Sequence, residues 1–152
     1  MPSWAEFAAA EPELAAKVRE RFGIRKHKTM ASLRKDGSPR ISGIETEFAD
    51  GELYLGMMPD SRKLHDLQRD PRVALHSPTD DPPMDQPAAW LGEAKVSGIA
   101  HEVAEPPSPV PGAARMRIEI REVAFTHLNA AGDRLVVDWW RAGGNRQRTE
   151  RT

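Results

Sequence analysis

Two Asp-Gly pairs, Asp36-Gly37 and Asp50-Gly51, separate three short runs in which apolar and polar residues alternate. Asp-Gly suits the positive-φ positions of tight hairpins, so each pair between alternating runs marks a turn between antiparallel strands. Strands over residues 29–33, 40–48 and 53–58 then form a meander. Parallel strands would need crossovers of a dozen or more residues, which these turns do not provide. The first half of the chain is therefore committed to antiparallel β-structure.

The remaining segments fit that plan. Pro59-Asp60-Ser61 opens a short helix with Leu64 and Leu67 on one face, and Asp70-Pro71 ends it. A fourth strand covers 73–76. Residues 78–87 hold four Pro and three Asp and read as a loop, either a lid or substrate wall or a flexible insert. Alternation returns over 90–103, with Gly92 and Gly98 as bend points. A second Pro-rich loop covers 105–112. Residues 115–127 alternate until a slip near Arg121, the mark of a bulge. A last strand runs over 134–140. Ahead of the strands, Ser3 and Glu6 form a capping box, and Pro12 opens a second helix. Its stripe of Leu14, Val18 and Phe22 should cover an end or side of the rest.

These elements predict a mainly β fold, a β-barrel with short helices, in three parts. Residues 1–23 form a helical segment, 24–141 the barrel, and 142–152 a flexible tail without apolar anchors. Trp139 and Trp140 are adjacent on a strand, so one should fill the core and the other meet a partner.

Composition narrows the function. The absence of cysteine removes disulfides, thiolate nucleophiles and Cys-based zinc sites. With 22 basic and 23 acidic residues the net charge is −1, which argues against a duplex-DNA binder. Four Trp, one Tyr and four Phe are too few for a stacking platform on single strands. No apolar run approaches the roughly 20 residues of a membrane span. The N-terminal residues lack a basic region before an apolar stretch, so a cytoplasmic location is expected. The five histidines form no tight ligand pair, so no metal site is expected. A nucleophile elbow, G-x-G-x-x-G and a P-loop are all missing.

One cluster carries chemistry. The strand end Tyr54-Leu55-Gly56-Met57-Met58 leads into Asp60-Ser61-Arg62-Lys63, where a helix starts. Helix starts carry partial positive charge, and Arg62 and Lys63 add two full charges there. Such an arrangement suits a phosphate. From charge alone, a phosphate clamp and a solvated helix start are both open.

The stretch S-R-K-L-H-D-L-Q-R-D-P-R-V-A-L over residues 61–75 resembles the pyridoxamine 5'-phosphate oxidase-like family of FMN-binding split barrels. Lys63 precedes Asp70 by the family spacing. Gly37-Ser38-Pro39-Arg40 with its following strand, residues 92–100, and residues 117–140 with V-V-D-W-W-R resemble the family's other barrel segments. The resemblance covers residues 24–141 and implies a six-stranded antiparallel split β-barrel. It implies that Ser61, Arg62 and Lys63 grip the cofactor phosphate. Arg40, Ile41, Ser42 and Gly43 would contact the ring or ribityl chain, and Gly56, Met57 and Met58 would pass close to the isoalloxazine. Glu93 stands where true oxidases tend to have Gln, and Glu45 where they tend to have a basic residue. Their Arg-rich, Pro-terminated ending has no counterpart, so vitamin B6 oxidation is not implied.

What the resemblance implies is a flavin-dependent oxidoreductase, a homodimer with FMN at the interface, exchanging hydride with a small-molecule substrate. No side-chain acid or base stands out, and the cofactor carries such chemistry itself. Two alternatives share the fold. One is a reductase using the deazaflavin coenzyme F-420, with Arg25, Lys26 and Lys28 either serving its acidic tail or forming a solvated strand start. The other is a non-catalytic flavin or haem binding protein.

Overall fold

The two Asp-Gly pairs turn the chain in different ways. At the second, Asp50 (φ 52°) and Gly51 (φ 75°) both take positive φ, and Ala49 pairs directly with Glu52. That is the two-residue hairpin in which Asp-Gly is favoured. The first turn is longer: Leu33 pairs with Pro39, and Asp36 Oδ1 accepts from Ser38 N at 2.9 Å and Ser38 Oγ at 2.6 Å.

The computed structural model describes residues 2–104 and 107–152. Met1, in the expected helical segment, and Glu105 and Pro106, in the expected loop 105–112, lie outside them. The helices α1 (Trp4–Ala10) and α2 (Pro12–Gly23) come first, followed by strands β1 (His27–Leu33), β2 (Pro39–Ala49) and β3 (Glu52–Met57). Helix α3 (Arg62–Arg69) precedes β4 (Arg72–His76), and a single 3-10 turn (Pro87–Ala89) precedes β5 (Glu93–Val103). Strands β6 (Ala114–Leu128), β7 (Leu135–Arg141) and β8 (Gln147–Arg151) complete the order. No helix among the described residues is long and apolar enough to cross a membrane.

The sheet order is β3-β2-β1-β4-β5-β6-β7-β8, and β3 also pairs with β6. That extra pairing closes six antiparallel strands into a barrel. The long β6 divides its labour. Its first residues pair with β3, from Ala114 opposite Met57 to Arg117 opposite Tyr54, and its last seven carry β7. The slip at Arg121 is a bulge: Ser97 faces Glu122, Gly98 faces Ile120, and Arg121 is the extra residue. Gly98 permits this crowding, because a Cβ there would collide with the Glu119 carbonyl.

Alternation fills the barrel with Met30, Ile44, Leu53, Leu55, Val96, Ile118 and Ile120, all nearly inaccessible. The helical segment caps this core. Leu14, Val18 and Phe22 are buried as a stripe, and Trp4, Phe7 and Trp140 join one aromatic cluster with Phe48. Backbone bonds fix the start of α1: Ala5 N donates to Gly51 O and Ile120 N to Pro2 O, each at 2.8 Å. Trp140 fills the core, while the Trp139 indole N–H donates to Thr149 Oγ1 on the chain's own β8 at 3.3 Å.

The expectation of an unanchored tail at 142–152 is corrected here, because β8 pairs with β7 over five residues. Its anchor is electrostatic. Asp138, 1% exposed, accepts from Arg148 Nε at 2.8 Å and has Arg146 Nη2 at 3.3 Å and His127 Nε2 at 2.9 Å. Burial pushes the Asp138 carboxyl up, but the Arg148 and His127 hydrogen bonds and the two Arg charges outweigh it and hold it at about 2. A depressed carboxylate stabilises the fold above its ordinary pKa of 3.8, and that contribution disappears as pH falls through about 2. The shift corresponds to about 2 kcal/mol. Acid titration monitored by tryptophan fluorescence should therefore show a stability loss between about pH 4 and pH 2, which Asp138→Asn flattens. An unchanged acid profile in that variant would remove Asp138 as the anchor.

Candidate functional site

Strand β2 turns Ile44 into the barrel and Gly43, Glu45 and Glu47 outward. The register sets Glu45 opposite Gly56 and Glu47 opposite Tyr54. A cleft of about 510 Å³ runs over this outer face, bordered by Gly43, Gly56, Met58, Lys63, Val110 and Arg115. A Cβ built on Gly43 or Gly56 would meet nothing within 4 Å and would project into open space. Both glycines thus leave bare backbone for a flat molecule to approach.

Helix α3 delivers the cation. Ser61 is extended and caps the helix, its Oγ accepting from Leu64 N at 3.3 Å. Lys63 Nζ donates to Gly43 O at 2.7 Å, so the ammonium sits where α3 meets the bare part of β2. Arg62 is exposed beside it. An ammonium on the first turn of α3, at the edge of the cleft, suits a phosphate monoester.

The other expected residues divide. Gly43, Gly56, Met57, Met58 and Lys63 border the cleft, whereas Arg40, Ile41, Ser42, Ser61 and Arg62 do not. Met57 is buried in the core, and Met58 stands exposed at the rim. The Arg40 side chain turns to α3, where Nε donates to Asp66 Oδ2 at 2.7 Å. Asp66 also accepts from Ser32 Oγ at 2.8 Å and Arg69 Nη2 at 3.0 Å. Burial raises the Asp66 pKa, yet these bonds win and hold it below the ordinary value. Arg40 therefore seats α3 rather than facing the cleft.

Ile41 is 77% exposed and borders a second concavity of about 510 Å³ with Thr29, Ala31, Ala74 and Ala124. The register lines up Gly43, Thr29, His76, Lys95, Ala124 and Trp139 across successive strands, so both hollows share one outer face. The Pro-rich loop 78–87 borders neither. Its Asp80 is held by Arg25 at 2.7 Å.

Several charged positions are engaged locally. Glu93 lies 3.3 Å from His76, and Glu45 lies 3.6 Å from both Lys26 and His27. The Lys28 ammonium donates to Lys26 O at 3.0 Å, and burial lowers its pKa against the opposing Glu45 charge.

Arg115, at the end of the cleft opposite Lys63, is the residue that sequence reasoning missed. Its guanidinium stacks 4.1 Å from the Tyr54 ring centroid, and Nη2 donates to Glu47 Oε2 at 3.0 Å. Nothing near Arg115 in sequence signals this, because its neighbours arrive only when β6 closes on β3.

The model of the pyridoxamine 5'-phosphate oxidase family matches residues 14–136. No curated protein sequence matches the chain. Among solved structures, a pyridoxamine 5'-phosphate oxidase-related, FMN binding protein from Nostoc punctiforme superposes with TM-score 0.67 at 10% identity, covering 97% of this chain and 99% of its own. An F420 reductase gives TM-score 0.53 at 14% identity, over 70% of this chain and 94% of its own. A heme storage protein from Vibrio cholerae gives 0.55 at 15%, over 74% and 90%. At these identities the likeness speaks to the barrel alone. With the family model spanning most of the sequence and the closed six-stranded barrel in place, the chain belongs to the pyridoxamine 5'-phosphate oxidase family of split barrels.

Proposed function

We propose that the chain is an FMN-dependent oxidoreductase that works as a homodimer and exchanges hydride with a small molecule. The observation that carries this reading is the outer cleft, where Lys63 meets the bare backbone of Gly43 and Gly56. Lys63, Arg62 and the α3 start would hold the phosphate, and the glycines would leave space for the ring. When bound, FMN supplies the hydride chemistry at its own ring. The chain's part is to orient the ring, exclude water from one face and neutralise the phosphate charge. The FMN binding protein of the same fold supports FMN as the ligand.

FMN titration followed by flavin fluorescence tests the reading, and saturable binding that Lys63 supports is the expected outcome. A protein that ignores FMN but gives a Soret band with haem would overturn it. The deazaflavin coenzyme is the second reading, favoured by the F420 reductase of the same fold. Of the cations it could use, Arg25, Lys26 and Lys28 pair away from the cleft or with its rim, and Arg115, paired with Glu47, borders the cleft itself.

The homodimer rests on the outer face. Its centre holds the small side chains of Thr29, Ala31, Ala74 and Ala124 around the exposed Ile41, with His76, Lys95 and Glu122 beside them, a surface that a second copy can approach. Light scattering at micromolar concentration should give twice the monomer mass, and Ile41→Asp should return the monomer. A wild-type monomer would remove the dimer and any site shared between copies.

A further inference from the structure

We propose that Arg115 is a specificity-determining residue that binds a carboxylate at the end of the cleft opposite Lys63. The inference rests on the reading of Lys63 as the phosphate end. Lys63 Nζ is bonded at Gly43 O, and Arg115 Nη2 at Glu47 Oε2. Gly43 and Glu47 are four residues apart on one strand, a span of about 13 Å. A ligand anchored by its phosphate at Lys63 therefore meets Arg115 only at its far end, or through a second molecule bound beyond it.

The local arrangement suits an incoming anion. The Arg115 side chain is 13% exposed, and its guanidinium sits over the Tyr54 ring, a cation–π contact that helps hold it at the cleft. Among the described residues it makes one hydrogen bond, to Glu47, and its buried Nε has no partner. A guanidinium offers five donors in a rigid fork that matches a carboxylate. Glu47 is 64% exposed, and an exposed carboxylate is a weak holder of such a fork. Glu47 thus fills the place of a ligand carboxylate until one arrives. Glu45, the other acid bordering the cleft, already faces Lys26 and His27. Val110 and Met58 give the cleft apolar edges, so an aromatic carboxylate is the simplest fit.

Calorimetric titration of sodium benzoate and of neutral benzamide tests this, with and without FMN. The wild-type protein should bind benzoate about tenfold more tightly than benzamide. Arg115→Gln should erase that preference, and Glu47→Gln should sharpen it by removing the competing carboxylate. Equal binding of benzoate and benzamide by the wild type would overturn the proposal. So would a Glu47→Gln protein that melts earlier without binding benzoate better, because Arg115 and Glu47 would then only staple β6 to β2. Failure of FMN to bind while the benzoate preference persists would sink the flavin reading and leave this one standing. Titrating deazaflavin coenzyme with and without its glutamate tail distinguishes the source. Loss of tail-dependent affinity in Arg115→Gln assigns the carboxylate to the cofactor, and unchanged affinity assigns it to the substrate.

Discussion

Asp66→Ala is expected to lower folding stability by about 3–5 kcal/mol, the usual cost of removing one member of a buried ion-pair network. Asp66 is 2% exposed and gathers Arg40, Ser32 and Arg69 from β1, β2 and α3. Alanine would leave a largely buried guanidinium and a buried hydroxyl without their acceptor. Urea denaturation should show a lower midpoint at unchanged slope. Asp66→Asn keeps one acceptor oxygen and should lose less. A loss below about 1 kcal/mol in the alanine variant would mean that α3 is seated by Leu64 and Leu67 alone.

Lys63→Ala is expected to weaken FMN binding ten- to a hundredfold, since a charge-assisted bond contributes about 1.5–3 kcal/mol. The barrel should stay folded, because the ammonium is half-exposed and its bond to Gly43 O is a surface contact. Lys63→Arg retains charge and should recover part of the affinity. Flavin fluorescence quenching reads both variants. Wild-type affinity in Lys63→Ala would return Arg62 and Lys63 to a solvated helix start.

Much of the architecture was legible because its determinants are local. Asp50-Gly51 declares its hairpin through positive φ, Ser61 with Leu64 and Leu67 declares α3, and the broken alternation at Arg121 marks the bulge. Lys63, singled out by its spacing to Asp70 in the family pattern, borders the cleft. Strand β8 was not, since every residue in it is exposed and its anchor is a buried carboxylate on the neighbouring strand. Asp138 shares the inward face of β7 with Val136 and Trp140, and three cationic or imidazole partners make it a staple. The Arg40 side chain escaped for a similar reason: its acceptor lies 26 residues away on α3. Arg115 depends on an even longer closure, 68 residues back to Glu47.

The seam that closes the barrel is short. Four residue pairs join β3 to β6, against eleven between β5 and β6. Gly56 and Arg115, which face each other across this seam, also border the cleft. A ligand resting on both would therefore be a clasp on this closing seam, and opening the seam would let it go. By mass action a ligand at a hundred times its Kd adds about 2.7 kcal/mol to the closed form. Occupancy and closure of this barrel are in that sense one equilibrium.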